Sequence, residues 1–211
     1  MIYREMVQCT PEWFEIRRGK ATSSRVSDVM ATLKSGGEAA SRRNYRAELV
    51  CEILTGVTPE GYVSKEMQWG TDNEPFARAA FELAEDVSVE SIGFATHPQI
   101  ERFGASCDGL VGNDGVLELK CPNTATHLDY LLRGKAPVEY ELQMLSEIAC
   151  TEREWVQFAS FDPRLPKDLQ LFKAPKFYRD EARIAEIEKM IEIFLSEVDA
   201  VIGQLQKLRK G

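Results

Sequence analysis

The chain has 211 residues, 44% of them hydrophobic, which is enough apolar content for one well-cored domain over 1–211. Its formal charge of −8 excludes a protein that coats nucleic acid through a broadly basic surface, although an enclosed basic groove can coexist with an acidic exterior. Five cysteines, odd in number and without a C-x-x-C pair, exclude a disulfide framework or a zinc or iron–sulfur site and read as scattered buried thiols.

No run approaches the roughly 18 apolar residues of a membrane helix. The opening MIYREMVQCT also lacks the apolar core of a secretory signal, so the expectation is a cytoplasmic protein without a membrane partner. Thr10 caps a short helix that begins at Pro11 and ends near Gly19, and a second helix starts near Ser23 or Ser24. Between them Arg17, Arg18, Lys20, Thr22, Ser23 and Ser24 collect cations, hydroxyls and free N–H groups that suit a phosphate. A capped turn with solvated cations explains the same residues.

The next stretch, ATLKSGGEAASRRNY, is rich in small residues and reads as a mobile basic loop carrying Lys34, Arg42 and Arg43, of the kind that tracks a nucleic-acid backbone. Tyr45, Leu49 and Ile53 then mark a helical face that stops at Gly56, followed by a polar connection, TPEGYVSKEMQW. The spacing predicts a helix from about Asn73 to Ala84, with Thr71 and Glu74 as a capping box. Glu74 is therefore either a cap or a metal-facing acid, and Met67 and Trp69 before it read as core residues.

From Val87 to Lys120 the pattern becomes a β-meander of three strands, VSVESIGFATH, QIERFGASCDG and VLELK. Helices follow, one with Leu128, Leu131 and Leu132 ending at Gly134 and one from Val138 to Cys150. EWVQFASFD and DLQLFKAP are two more strands. A last helix over about 181–210 repeats apolar residues from Ile184 to Leu208 in steps of three and four. The order predicts an α/β (α+β) domain with a central mixed sheet flanked by helices.

Chemistry concentrates in SCDGLVGNDGVLELKCP. Glu118 and Lys120 share a strand face, and a hairpin brings Asp108 beside them. Two acids and one amine, with the Leu119 main-chain carbonyl along the strand edge, suit a hard divalent cation and a phosphate. A metal-dependent phosphodiesterase and a structural salt-bridge cluster both fit this spacing. With only His97 and His127 in the chain, no Ser-His-acid order emerges, and there is no phosphate-binding P-loop.

Four segments in order, WFEIRRGKATSSRV, WGTDNEPFARAAFE, SCDGLVGNDGVLELKCP and YELQ, resemble the phage lambda exonuclease (YqaJ-type viral recombinase) family of the PD-(D/E)xK nuclease superfamily, from about Trp13 to Phe161. The resemblance implies a restriction-endonuclease-like core in which Asp108, Glu118 and the Leu119 carbonyl bind magnesium and Glu74 joins them. Two ions per active site are implied, with manganese as a substitute, for an in-line displacement in which Lys120 positions the attacking water and stabilises charge on the phosphate. Arg17, Thr22 and Ser24, assisted by Ser106 and Gln143, match the residues that hold a 5′-phosphate, and Met67 matches a wedge that splays the duplex end. The activity implied is 5′ to 3′ digestion of linear double-stranded DNA, by a ring-shaped homotrimer of phage or prophage origin, leaving a 3′ strand for a single-strand-annealing partner. Two positions depart from the family: Cys107 stands where proline is usual, and Leu145 where a second glutamine is common. The alternatives are an endonuclease or single-strand-preferring nuclease of the same superfamily, and a non-catalytic recombination scaffold.

Overall fold

The structure, a computed structural model, describes residues 1–33, 36–58 and 64–209. These residues include ten short strands and seven α-helices: β1 (Ile2–Tyr3), α1 (Pro11–Arg17), β2 (Ala21–Thr22), α2 (Val26–Met30), α3 (Ala40–Thr55), α4 (Lys65–Glu85), β3 (Val89–Glu90), β4 (Phe94–Thr96), β5 (Phe103–Ala105), β6 (Gly109–Val111) and β7 (Gly115–Lys120), then α5 (Thr124–Arg133), α6 (Glu141–Thr151), β8 (Trp155–Phe161), β9 (Leu171–Lys173), β10 (Phe177–Tyr178) and α7 (Glu181–Leu208).

The expected meander is split between two sheets. One sheet has the order β1-β4-β5-β2, and the other runs β10-β8-β7-β6-β3 with β9 also paired to β8. The segment 87–97 changes sheets at Ser91–Gly93, so that β3 pairs with β6 while β4 pairs with β5. Both sheets are mixed: β2 runs parallel to β5, and β7 runs parallel to β8 across the α5–α6 crossover.

Alternation along β7 decides what each face meets. Leu117 and Leu119 pack with Ala77 and Phe81 of α4, whereas Val116 joins the larger core under α2, α3, α6 and α7. Helix α6 touches β4 and β5 of one sheet and β7 and β8 of the other, and every residue from Met144 to Thr151 is buried. A helix in that position has no solvent face, so its polar residues must find partners inside.

Several expectations are revised. Helix α4 starts at Lys65, capped by the Ser64 side chain, so Thr71 is not an N-cap; its hydroxyl donates to the Met67 carbonyl within the helix. Pro75, which would ordinarily mark a boundary, lies inside α4. On α5 the inward residues are His127 and Tyr130, while Leu132 is 86% exposed. His127 tolerates burial because its two ring nitrogens meet Ser160 Oγ at 2.7 Å and the Leu169 carbonyl at 2.9 Å. The final helix buries Ile184, Ile187, Ile191, Phe194 and Val198 as expected, and its apolar stripe emerges toward Leu208. Cys107 and Cys150 are buried, but Cys9 and Cys51 are exposed.

Candidate active site

Asp108 sits immediately before β6, and the antiparallel register Gly109↔Leu117 carries it to the far end of β7. Its Oδ2 accepts from the Leu119 backbone N–H at 2.6 Å. Gly109 permits the approach, since a Cβ there would lie 2.1 Å from Val89 Cγ1 of β3. Cys107 does not leave the preceding turn loose: the Gln8 amide donates to both the Ile92 and Cys107 carbonyls at 3.0 Å.

On β7, Glu118 is buried and forms an ion pair with Lys120. Lys120 also lies 5.2 Å from the Tyr140 ring centroid. Glu74 comes from α4 on the other side and accepts from Arg78 at 2.7 Å. Asp108, Leu119, Lys120, Glu74 and Met67 line one cleft of about 420 Å³. Met67 is 58% exposed at this cleft rather than in the core. The spacing expectation for Asp108, Glu118 and Lys120 and the helical position of Glu74 thus converge on one place.

Burial and repulsion from Glu118 push the Asp108 carboxyl well above the usual carboxylate range. For Lys120, burial favours the neutral amine, but Glu118 and Asp108 outweigh it and hold the ammonium above its ordinary value. Lys120 therefore keeps its proton and acts as a cation and donor. Behind it, the Gln143 amide nitrogen donates to Glu118 Oε1 and to Glu147 Oε1, both at 2.8 Å. Glu147 is buried, and burial followed by repulsion from Glu118 raises its carboxyl well above the ordinary range.

Among the described residues, no three His, Cys, Asp or Glu side chains gather tightly enough to enclose a metal by themselves. The donor chemistry nevertheless fits a hard divalent cation. Buried Glu118 and half-buried Asp108 share one ammonium, with buried Glu147 behind them, and a cation beside Asp108 and Glu118 would offset the repulsion that adds to burial in raising Asp108. Leu119 and Glu74 line the same cleft, where the Leu119 carbonyl and the Glu74 carboxylate would be further oxygen donors to such a cation.

The second predicted cluster connects to the first through Ser106, on the same turn as Asp108. Arg17 donates to Ser106 Oγ at 2.7 Å, and the Trp13 indole donates to the same oxygen at 3.0 Å. The Arg17 guanidinium stacks 4.0 Å over the Trp13 ring and has no ion pair among the described residues. Burial lowers its pKa from the ordinary arginine value. Arg17, Thr22 and Ser24 share a cleft of about 220 Å³ with Glu48 and Glu52. Both acids are otherwise engaged, Glu48 by Arg25 and Glu52 by the Gly19 N–H.

Other predicted contacts fall elsewhere. Arg42 is not on a loop: it lies in α3, buried, bound to Glu197 at 2.5 and 3.0 Å and to the Val29 carbonyl, so it is unavailable to DNA. Arg43 is exposed on the same helix beside a groove against α7. Lys34 lies outside the described residues. Gln143 sits against Glu118 with both amide hydrogens used by acids, which leaves it no donor for a phosphate. Leu145 is buried in the core, away from either cleft. Glu147, Gln8 and Trp13 also meet the site, and the sequence signals only the first of them, through the i, i+4 spacing of Gln143 and Glu147.

Residues 12–154 match the YqaJ-like viral recombinase domain. The chain is similar to an alkaline exonuclease (LHK-Exo) from Laribacter hongkongensis, with 46% identity and a TM-score of 0.88 over 95% of this chain and 98% of that one. The same values hold for that protein's complex with dAMP. A phage-related exonuclease from Haemophilus somnus 129PT, 15% identical over 88% of this chain and 96% of that one with a TM-score of 0.70, shares the fold. No curated protein matches the chain in sequence.

Proposed function

The chain belongs to the YqaJ-like viral recombinase family, and from that premise we propose that it is a metal-dependent 5′ to 3′ exodeoxyribonuclease acting on linear duplex DNA with 5′-phosphorylated ends. The carrying observation is the pinning of Asp108 against Leu119 beside Glu118 and Lys120, in a cleft shared with Glu74.

Asp108, Glu118, the Leu119 carbonyl and Glu74 would hold magnesium, with manganese as a substitute and two ions at the full site. When bound, the metal acidifies water and neutralises charge on the phosphoryl group. Lys120 donates to a non-bridging phosphoryl oxygen and stabilises the charge that grows there. Water adds to phosphorus, the bond to the 3′-oxygen breaks, that oxygen takes a proton, and a nucleoside 5′-monophosphate leaves. The dAMP-bound relative fits a product of this class.

Arg17 and Ser106 receive the terminal 5′-phosphate, with Thr22 and Ser24 in the same cleft. The Arg17 guanidinium is half-buried beside a hydroxyl and an aromatic face rather than paired with an acid, so an incoming phosphate would be its first ionic partner among the described residues. Met67, exposed at the mouth of the metal cleft, serves as the apolar wedge at the duplex end. A ring-shaped homotrimer reconciles the charge of −8 with a DNA substrate by turning basic residues inward, and the 3′ strand passes to an annealing partner in the cytoplasm of a bacterial host.

The deciding experiment uses linear duplex with 5′-phosphate or 5′-hydroxyl ends, and closed circular duplex, each with magnesium or chelator. Magnesium-dependent loss of the phosphorylated linear substrate alone is expected. Equal cutting of the circle would establish an endonuclease, and no metal-dependent cutting a binding scaffold. Light scattering checks assembly against three times the chain mass of 23.8 kDa.

A further inference from the structure

Glu147 lies in the middle of α6, the helix shared by both sheets, and has no exposed surface. Its Oε1 accepts from Gln143 one turn earlier, while Oε2 is buried without a hydrogen-bond partner among the described residues. A carboxyl in such a place is unfavourable compared with an apolar side chain of similar size. Its neighbours on the helix, Met144, Leu145 and Ile148, follow the apolar rule that it breaks. Packing alone therefore gives no reason for an acid here.

A reason appears at the other end of Gln143. The amide nitrogen that donates to Glu147 at 2.8 Å also donates to Glu118 Oε1 at 2.8 Å. Two carboxyl groups facing one nitrogen fix the amide, because its reversal would turn the carbonyl oxygen toward both acids. The terminal amide torsion of a glutamine is otherwise broad and weakly held.

We infer that Glu147 is a positioning residue: through Gln143 it holds the Glu118 carboxylate in the orientation that receives the divalent cation, an inference that rests on Glu118 being a metal ligand. Without Glu147, the Gln143 amide turns freely and Glu118 is left to Lys120 alone, so the cation competes with an ammonium already in contact. Partners that orient a metal ligand typically change metal affinity by about 10- to 100-fold. A packing role would show the opposite balance, with stability lost and affinity kept.

The test titrates the full-length protein with Mn²⁺ in the absence of DNA, by calorimetry or electron paramagnetic resonance, and measures thermal midpoints and steady-state kinetics on linear duplex. The variants are E147M, E147Q, Q143L and E118A. Relative to wild type, E147M should bind Mn²⁺ about tenfold more weakly, and E147Q, which keeps an acceptor for Gln143, should recover to within about threefold. E147M should also keep or raise the thermal midpoint, and its kcat should fall with KM for DNA unchanged. Wild-type Mn²⁺ affinity in E147M would overturn the inference. Should E147M not fold, Q143L decides in its place: it removes the bridge and must reproduce the loss, and wild-type affinity there overturns the inference equally. If E118A binds Mn²⁺ as well as wild type, the reading of Glu118 as a ligand fails instead.

Discussion

Lys120 is the cation closest to the paired acids, and its charge is secured by them. Replacing it with alanine removes the donor proposed for the phosphoryl oxygens, and kcat should fall by about 100-fold or more. A circular dichroism spectrum like that of the wild type would attribute the loss to chemistry rather than unfolding. Arg17→Ala should narrow the preference for 5′-phosphate over 5′-hydroxyl ends, read as the ratio of kcat/KM on the two substrates; an unchanged ratio would make Arg17 structural. Asp162 offers a separate test of residue-scale electrostatics. Burial alone would raise its carboxyl, but hydrogen bonds from Arg164 and Thr124 override this and hold it at about 2, against 3.8 for a free aspartate. The folded pKa is depressed, so this stabilisation is present above pH 3.8 and disappears as pH falls toward 2. Arg164 is half-exposed, so the contribution is about 1–2 kcal/mol, smaller than the full shift implies. Denaturant unfolding of wild type and Asp162→Asn should differ by that amount at pH 6 and converge at pH 2.

At the scale of elements, two local devices bring the acids together. The first is the β6–β7 hairpin with Gly109 under β3. Gly109→Val forces a side chain into Val89 and should cost about 1–3 kcal/mol while lowering kcat, because the same shift moves Asp108 away from Leu119. The second is α4, which starts two turns before Glu74 and is capped by Ser64. Ser64→Ala should cost about 1 kcal/mol in thermal unfolding. The cap was hard to find from sequence because Thr71 and Glu74 have capping-box spacing inside the helix, and Pro75 mimics a boundary. Spacing rules identify compatible local patterns, and here two patterns competed for one segment. Helix α5 misled for a related reason: its leucines suggested the buried face, but His127 could be buried once Ser160 and the Leu169 carbonyl satisfied both ring nitrogens.

Across the whole molecule, α3 and α7 are tied by Arg42. Its guanidinium binds Glu197, and Tyr45 stacks on Phe194 at 5.3 Å beside it. Arg42→Met should lower stability by about 1–2 kcal/mol, since the Glu197 it abandons is partly exposed and can turn to water. Cleavage per folded molecule should stay at the wild-type rate, measured in the same linear-duplex assay; a large loss would restore Arg42 as a DNA contact. The sheet arrangement has a similar long-range origin. Ser91–Gly93 carries the chain from one sheet to the other, which splits the apparent meander and leaves α6 between two sheets. That placement buries Glu147 and aims Gln143 at Glu118.

The sequence by itself determined the helices and strands whose signals are strong and local: Thr10–Pro11 opening α1, Gly56 and Gly134 closing α3 and α5, and the apolar repeat of α7. It also determined the Asp108, Glu118 and Lys120 constellation, because strand alternation and a hairpin are short-range geometry. Only the tertiary structure decided that the meander splits, that Arg42 is a buried tie, that Met67 lines the cleft, and that Gln143 serves Glu118 together with Glu147. Each of these depends on which side chains meet across elements distant in sequence, and burial and hydrogen-bond satisfaction settle that after the chain has folded.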